Sequence, residues 1–141
     1  MYVRYLLIIG LGCIAILWVS YAVQAKSTDV LLMVKKAIVL DPKSNQFQAL
    51  VGEVLQNDKP GLEKKIVTQV LSQCEDKNSF QNCLRIIYCL IADRAHRENR
   101  TTTLLPPDEI SNGNDRPNYS NSNDRKAIYS YWEKWTNDHD Q

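Results

Sequence analysis

Residues 79–97 read Ser-Phe-Gln-Asn-Cys-Leu-Arg-Ile-Ile-Tyr-Cys-Leu-Ile-Ala-Asp-Arg-Ala-His-Arg, and this stretch decides the fold class. Phe80, Cys83, Leu84, Ile87 and Ile91 recur at spacings of three and four, which puts them on one face of an α-helix. Ile86, Tyr88 and Leu90 widen that face. No glycine or proline interrupts the run, and Ser79 is of a type that caps helix N-termini. The stretch predicts a long helix whose broad apolar surface needs partners.

Three more helical patterns precede it. The first begins near Ser27, Thr28 or Asp29 and runs to about Leu40, with Leu31, Val34 and Ile38 on one face. Asp41-Pro42-Lys43-Ser44 ends it, because proline has no amide proton and disfavours helix at the residue before it. The second carries Phe47, Leu50, Val51, Val54 and Leu55 in one stripe. After Asn57-Asp58-Lys59-Pro60-Gly61, the third carries Leu62, Ile66, Val67, Val70, Leu71 and Cys74. Short loops between helices make antiparallel neighbours, so the pattern predicts an all-α fold, a small antiparallel bundle of about four helices over residues 26–97.

Residues 1–25 differ in kind. Leu6 to Val19 is an uncharged apolar run behind Arg4, and Val23-Gln24-Ala25 offers the small residues of a signal-peptide cut before Lys26. The alternative is a signal anchor: Tyr5 to Val23, at 1.5 Å rise per residue, matches a hydrocarbon core about 30 Å thick. Either reading exports the rest of the chain. It would then be periplasmic or extracellular, soluble after cleavage near Ala25 or held in the inner (plasma) membrane through residues 5–23.

Residues 98–124 are rich in Asn, Ser, Thr and Pro and predict a flexible polar linker. Beyond it, residues 125–136 predict a short amphipathic helix, with 137–141 as a tail. Ile128, Tyr131, Trp132 and Trp135 form an aromatic stripe on that helix. Such a stripe either folds back onto the bundle or docks on another protein, since Trp and Tyr dominate interface hot spots.

Three cysteines lie beyond the leader. Cys74 and Cys83 flank the Glu75-to-Ser79 turn almost symmetrically and are the pair expected to form a disulfide in an oxidising compartment. Cys89 reads as a small buried hydrophobe. No Cys-x-x-Cys pair, zinc-ligand spacing or glycine-rich phosphate loop occurs. Cys89 and His96 fall about 10 Å apart on a helix, too far for a nucleophile and its base. Arg94, Arg97 and Arg100, interleaved with acids, read as a solvated helix end. No catalytic residue, metal or cofactor is therefore expected, and no enzyme.

Charge points the same way. Arg4 is the one charged residue among residues 1–25, leaving sixteen basic residues against sixteen acidic ones. Balanced, interleaved charge gives no footprint for nucleic acid. The expectation is an exported helical protein that binds another protein. One form is an accessory subunit of an envelope assembly, such as a secretion or conjugation apparatus. The other is a soluble, disulfide-stapled inhibitor or immunity-type protein against a secreted enzyme.

Overall fold

A computed structural model describes residues 30–99 and 118–139, and every regular element among them is helical. The apolar segment over residues 1–25 lies outside the described residues, as does the central part (100–117) of the stretch 98–124 read as a linker, whose last three residues already belong to a helix. From Leu31 onward the chain forms one unit. Its elements are α1 (described over residues 30–37), α2 (Asn45–Gln56), α3 (Leu62–Gln69), a 3-10 turn (Leu71–Gln73), α4 (Lys77–Arg97) and α5 (Ser122–His139). Among these residues no helix is long and apolar enough to cross a membrane.

Local chemistry sets the boundaries. Ser44 caps α2 by accepting a hydrogen bond from the Phe47 amide at 3.1 Å, and Phe47, Val51 and Val54 then fall on its buried face. Gly61 precedes α3 at φ 78°, a left-handed conformation that costs an L side chain strain and glycine none. The cap of α4 is Asp76 rather than Ser79: its carboxylate accepts from the amides of Asn78 and Ser79, both at 2.9 Å. Arg94, His96 and Arg97 occupy the last turn of α4, where cations favour the carbonyl end of the dipole. Asn99, at φ 50°, turns the chain out of the helix.

The third pattern does not run unbroken to Cys74. It stops at Gln69 and tightens into the 3-10 turn. Thr68 and Ser72 hydroxyls donate to the carbonyls of Lys64 (2.8 Å) and Thr68 (2.7 Å), and such back-bonding competes with the helical ladder. The first helix likewise ends at residue 37 rather than Leu40. Asn82, 3 % exposed on α4, donates to the carbonyls of Ile38 and Leu40, each at 2.9 Å, satisfying groups that the helix end leaves without a partner. In this way α4 holds the end of α1.

The core gathers on α4. Ile86, Ile87 and Leu90 are fully buried, so the helix is covered on more than one stripe, by α2 and α3 in particular. Val34 and Ala37 of α1 and Ile66 and Val67 of α3 are equally buried. Burying a Val, Leu or Ile contributes about 1.5–3 kcal/mol each. The C-terminal helix is longer than residues 125–136 by one turn at each end and packs chiefly against α3.

Candidate functional site

Three constellations in this unit carry more chemistry than packing alone. The first is the aromatic stripe. Ile128 and Trp132 are buried, Trp132 to 2 %, while Tyr131 and Trp135 are half-buried. Trp132 sits among Tyr88 of α4 (centroids 5.2 Å, planes at 84°), Tyr131 (6.0 Å) and Trp135 (5.6 Å), all edge to face. His139 stacks on Trp135 at 4.4 Å, and its Nδ1 lies 2.8 Å from the Trp135 carbonyl. Burial pushes the Tyr131 hydroxyl pKa up. The four stripe residues thus divide. Ile128 and Trp132 fasten α5 to its own chain and are not open to a partner in this arrangement, whereas Tyr131 and Trp135 stay partly exposed.

The second is an ion-pair clamp. Arg94 donates to Asp58 (Nη2–Oδ1 2.7 Å, Nε–Oδ2 3.2 Å) and to Glu63 (Nη1–Oε1 2.7 Å, Nη2–Oε2 2.9 Å). Arg97 adds Asp58 Oδ2 at 2.7 Å and Asp93 at 2.9 Å. The side chains of Asp58 and Glu63 are only 3 % and 9 % exposed. The bonds to Glu63, then those to Asp58, raise the Arg94 pKa further above its ordinary value against the opposing effect of burial. The reading of Arg94 and Arg97 as a solvated helix end is corrected: they tie the α2–α3 loop and the start of α3 to the end of α4. The signal was in the sequence, since Arg94 follows Ile87 and Ile91 at seven and three residues and so falls on the buried stripe.

The third is a sulfur pair beside a groove. Leu71, Ser72, Cys74, Glu75 and Phe80 form one wall of an open groove of about 560 Å³, and Ser122, Arg125, Lys126 and Tyr129 of α5 form the other. Arg125 Nη1 donates to the carbonyls of Tyr119 (2.8 Å) and Ser120 (3.1 Å), and the Tyr119 ring lies 6.1 Å from Phe80, fixing the approach to α5. Tyr129 donates to Glu133 at 2.9 Å.

Cys74 and Cys83 are both buried, and here the expected disulfide is not formed: both are free thiols. The short turn brings the end of the 3-10 segment against the second turn of α4, so that each of the two thiols is the strongest influence on the other's acidity. Cys74 Sγ also lies 3.3 Å from the Val70 carbonyl. The neighbouring Cys83 thiol draws the Cys74 thiol below its usual range, against burial and the Asp76 charge. Cys74 in turn, with burial, pushes Cys83 well above it. Cys89 is exposed on α4 rather than buried, since Ile86 and Leu90 take the inward positions.

No family model, no curated protein and no solved structure matches the chain.

Proposed function

We propose that this chain is a small exported helical protein that acts by binding another protein, as an accessory subunit of a cell-envelope assembly such as a secretion or conjugation apparatus. The apolar run Leu6 to Val19 behind Arg4 supports export. We read the packing of α1 to α4 as a small antiparallel bundle, which α5 closes from the α3 side.

The observation that carries the binding role is the division of the aromatic stripe. A helix anchored by the buried Trp132 holds Tyr131 and Trp135 beside it, each half-buried and in ring contact with Trp132. Aromatic side chains held rigidly lose little conformational freedom when a partner covers them, which is why they serve as interface anchors. A Cys74–Cys83 disulfide, formed after export, would harden the unit from which that surface projects.

The test changes the exposed edges and leaves the anchor alone. Tyr131→Lys with Trp135→Lys is expected to abolish co-purification of the partner from the native envelope, with the circular dichroism spectrum retained. Unchanged partner recovery by the folded double variant overturns the reading. The soluble inhibitor reading is favoured instead if the recovered partner is a secreted enzyme and the mature chain begins at Lys26.

A further inference from the structure

The sulfur pair is asymmetric in access. Cys74 stands at the wall of the groove between the 3-10 turn and α5, whereas Cys83 is 0 % exposed behind it on α4. Thiol–disulfide exchange requires a sulfur that a second molecule can reach in line, and of these two residues Cys74 borders the groove while Cys83 does not. We propose that Cys74 is the entry sulfur and Cys83 the resolving sulfur of an oxidation site whose co-substrate is a low-molecular-weight organic disulfide received in this groove. The proposal rests on the Cys74–Cys83 cross-link of the preceding reading and assigns the order in which it forms.

The chemistry closes in two steps. The Cys74 sulfur, as thiolate, attacks one sulfur of the small disulfide; the bond between the two small-molecule sulfurs breaks, and one leaves as a thiolate that takes up the Cys74 proton. The Cys83 sulfur then attacks Cys74; the mixed disulfide breaks, and the second small thiol departs with the Cys83 proton. Two protein thiols are oxidised and one disulfide is reduced to two thiols.

The geometry suits both steps. Cys74 closes the 3-10 turn and Cys83 lies on the second turn of α4 across a short loop, so the resolving residue stands beside the entry sulfur before the mixed disulfide exists. The mutual influence of the two thiols also draws Cys74 down and pushes the buried Cys83 up, which favours thiolate at Cys74, as an ordered exchange needs. A groove of about 560 Å³ lies in the range of small-molecule sites. Its lining combines the apolar Leu71 and Phe80 with the charged Glu75, Arg125 and Lys126.

The test uses the full-length reduced chain and oxidised glutathione, with acid quenching and tryptic mapping under non-reducing conditions. Lys65, Lys77, Arg85 and Arg94 place Cys74, Cys83 and Cys89 on separate peptides, so each sulfur is read independently. At early times the wild-type adduct is expected on the Cys74 peptide and not on the Cys83 peptide, followed by a cross-linked pair of peptides. Cys83→Ala is expected to trap the adduct on Cys74, and Cys74→Ser to slow modification of Cys83 at least about tenfold relative to Cys74 in that trapping variant. The early wild-type time points need no substitution, so a variant that fails to fold does not blunt the test. An adduct that appears first on Cys83, ending in the same cross-link, overturns the entry assignment and leaves the disulfide standing. If neither peptide changes while Cys89 reacts, both fail.

Discussion

The ring of Trp132 meets the ring of Tyr88 edge-on, with centroids 5.2 Å apart and planes at 84°. One residue therefore joins the C-terminal helix to the central one, across an interval of chain that includes the whole polar linker. The same contact limits the aromatic stripe as a binding surface, because Trp132 is already used.

Trp132→Ala is expected to cost about 3–5 kcal/mol, the range for removing a large buried aromatic. A urea titration followed by circular dichroism would measure it as a lower midpoint. Trp135→Ala, at a half-buried position, is expected to cost clearly less. Equal losses at the two sites would mean that the anchor and the exposed edge have been assigned wrongly.

Arg94→Met leaves the carboxylates of Asp58 and Glu63 sequestered beside an apolar side chain. A loss on the order of 3 kcal/mol is expected, because an uncompensated buried charge costs more than the pair contributes. Arg94→Lys should recover only part of this, since an ammonium cannot reproduce the forked contacts to two carboxylates. Arg97→Ala should cost under about 1 kcal/mol, because that side chain is 52 % exposed and Arg94 still covers Asp58. Denaturant midpoints of the three variants check the ranking, and a neutral Arg94→Met would show the clamp to be dispensable.

The Asp76 cap makes a pH prediction. The hydrogen bond from the Ser79 side chain, and then that from its amide, hold the Asp76 carboxyl below its ordinary value of 3.8. A carboxyl depressed on folding contributes stability above its unfolded pKa and loses it as pH falls through the folded one. Asp76→Ala is thus expected to cost about 1 kcal/mol near neutral pH. The gap to wild type should shrink below about pH 4. Asp76→Asn should keep most of the cap while losing that acid dependence. Melting curves in both pH ranges decide it, and a gap that widens in acid contradicts the assignment.

Closing the Cys74–Cys83 bond ties a loop of ten residues. Chain entropy then gives about 2.7 kcal/mol of stabilisation. Denaturation with and without a reductant should show a higher midpoint for the oxidised chain. A lower one would mean that the bond strains the junction between the 3-10 turn and α4.

Much of this architecture is written in periodicity. The stripes of Phe47, Val51 and Val54 and of Phe80, Cys83 and Ile87 are buried as their spacing requires, because burial of an apolar face is the main force that orients a helix. Periodicity can place a polar residue on a buried stripe, as it does Arg94, but it does not carry the partner that satisfies it. Asn82 and Arg94 were legible only as charged or polar letters within apolar helices, and their partners lie far off in sequence: the carbonyls of Ile38 and Leu40 for one, Asp58 and Glu63 for the other. Cap choice failed for a related reason. Asp76 and Ser79 are both good capping types, and the chain selects Asp76 because its carboxylate reaches two amides at once. Cys89 is exposed because it lies two residues from Ile87, about 200° round the helix and opposite the buried stripe, a placement the spacing already carried.

The central claim is that an apolar leader delivers this helical unit to an oxidising compartment, where Cys74 and Cys83 join. Intact-mass and non-reducing peptide mapping of the protein taken from its native cells, by compartment, tests it most directly. The account expects the chain outside the cytoplasm, beginning at Lys26 or retained from Met1, with the peptides of Cys74 and Cys83 linked and Cys89 outside that linkage. A cytoplasmic, full-length chain with all its thiols reduced would contradict it.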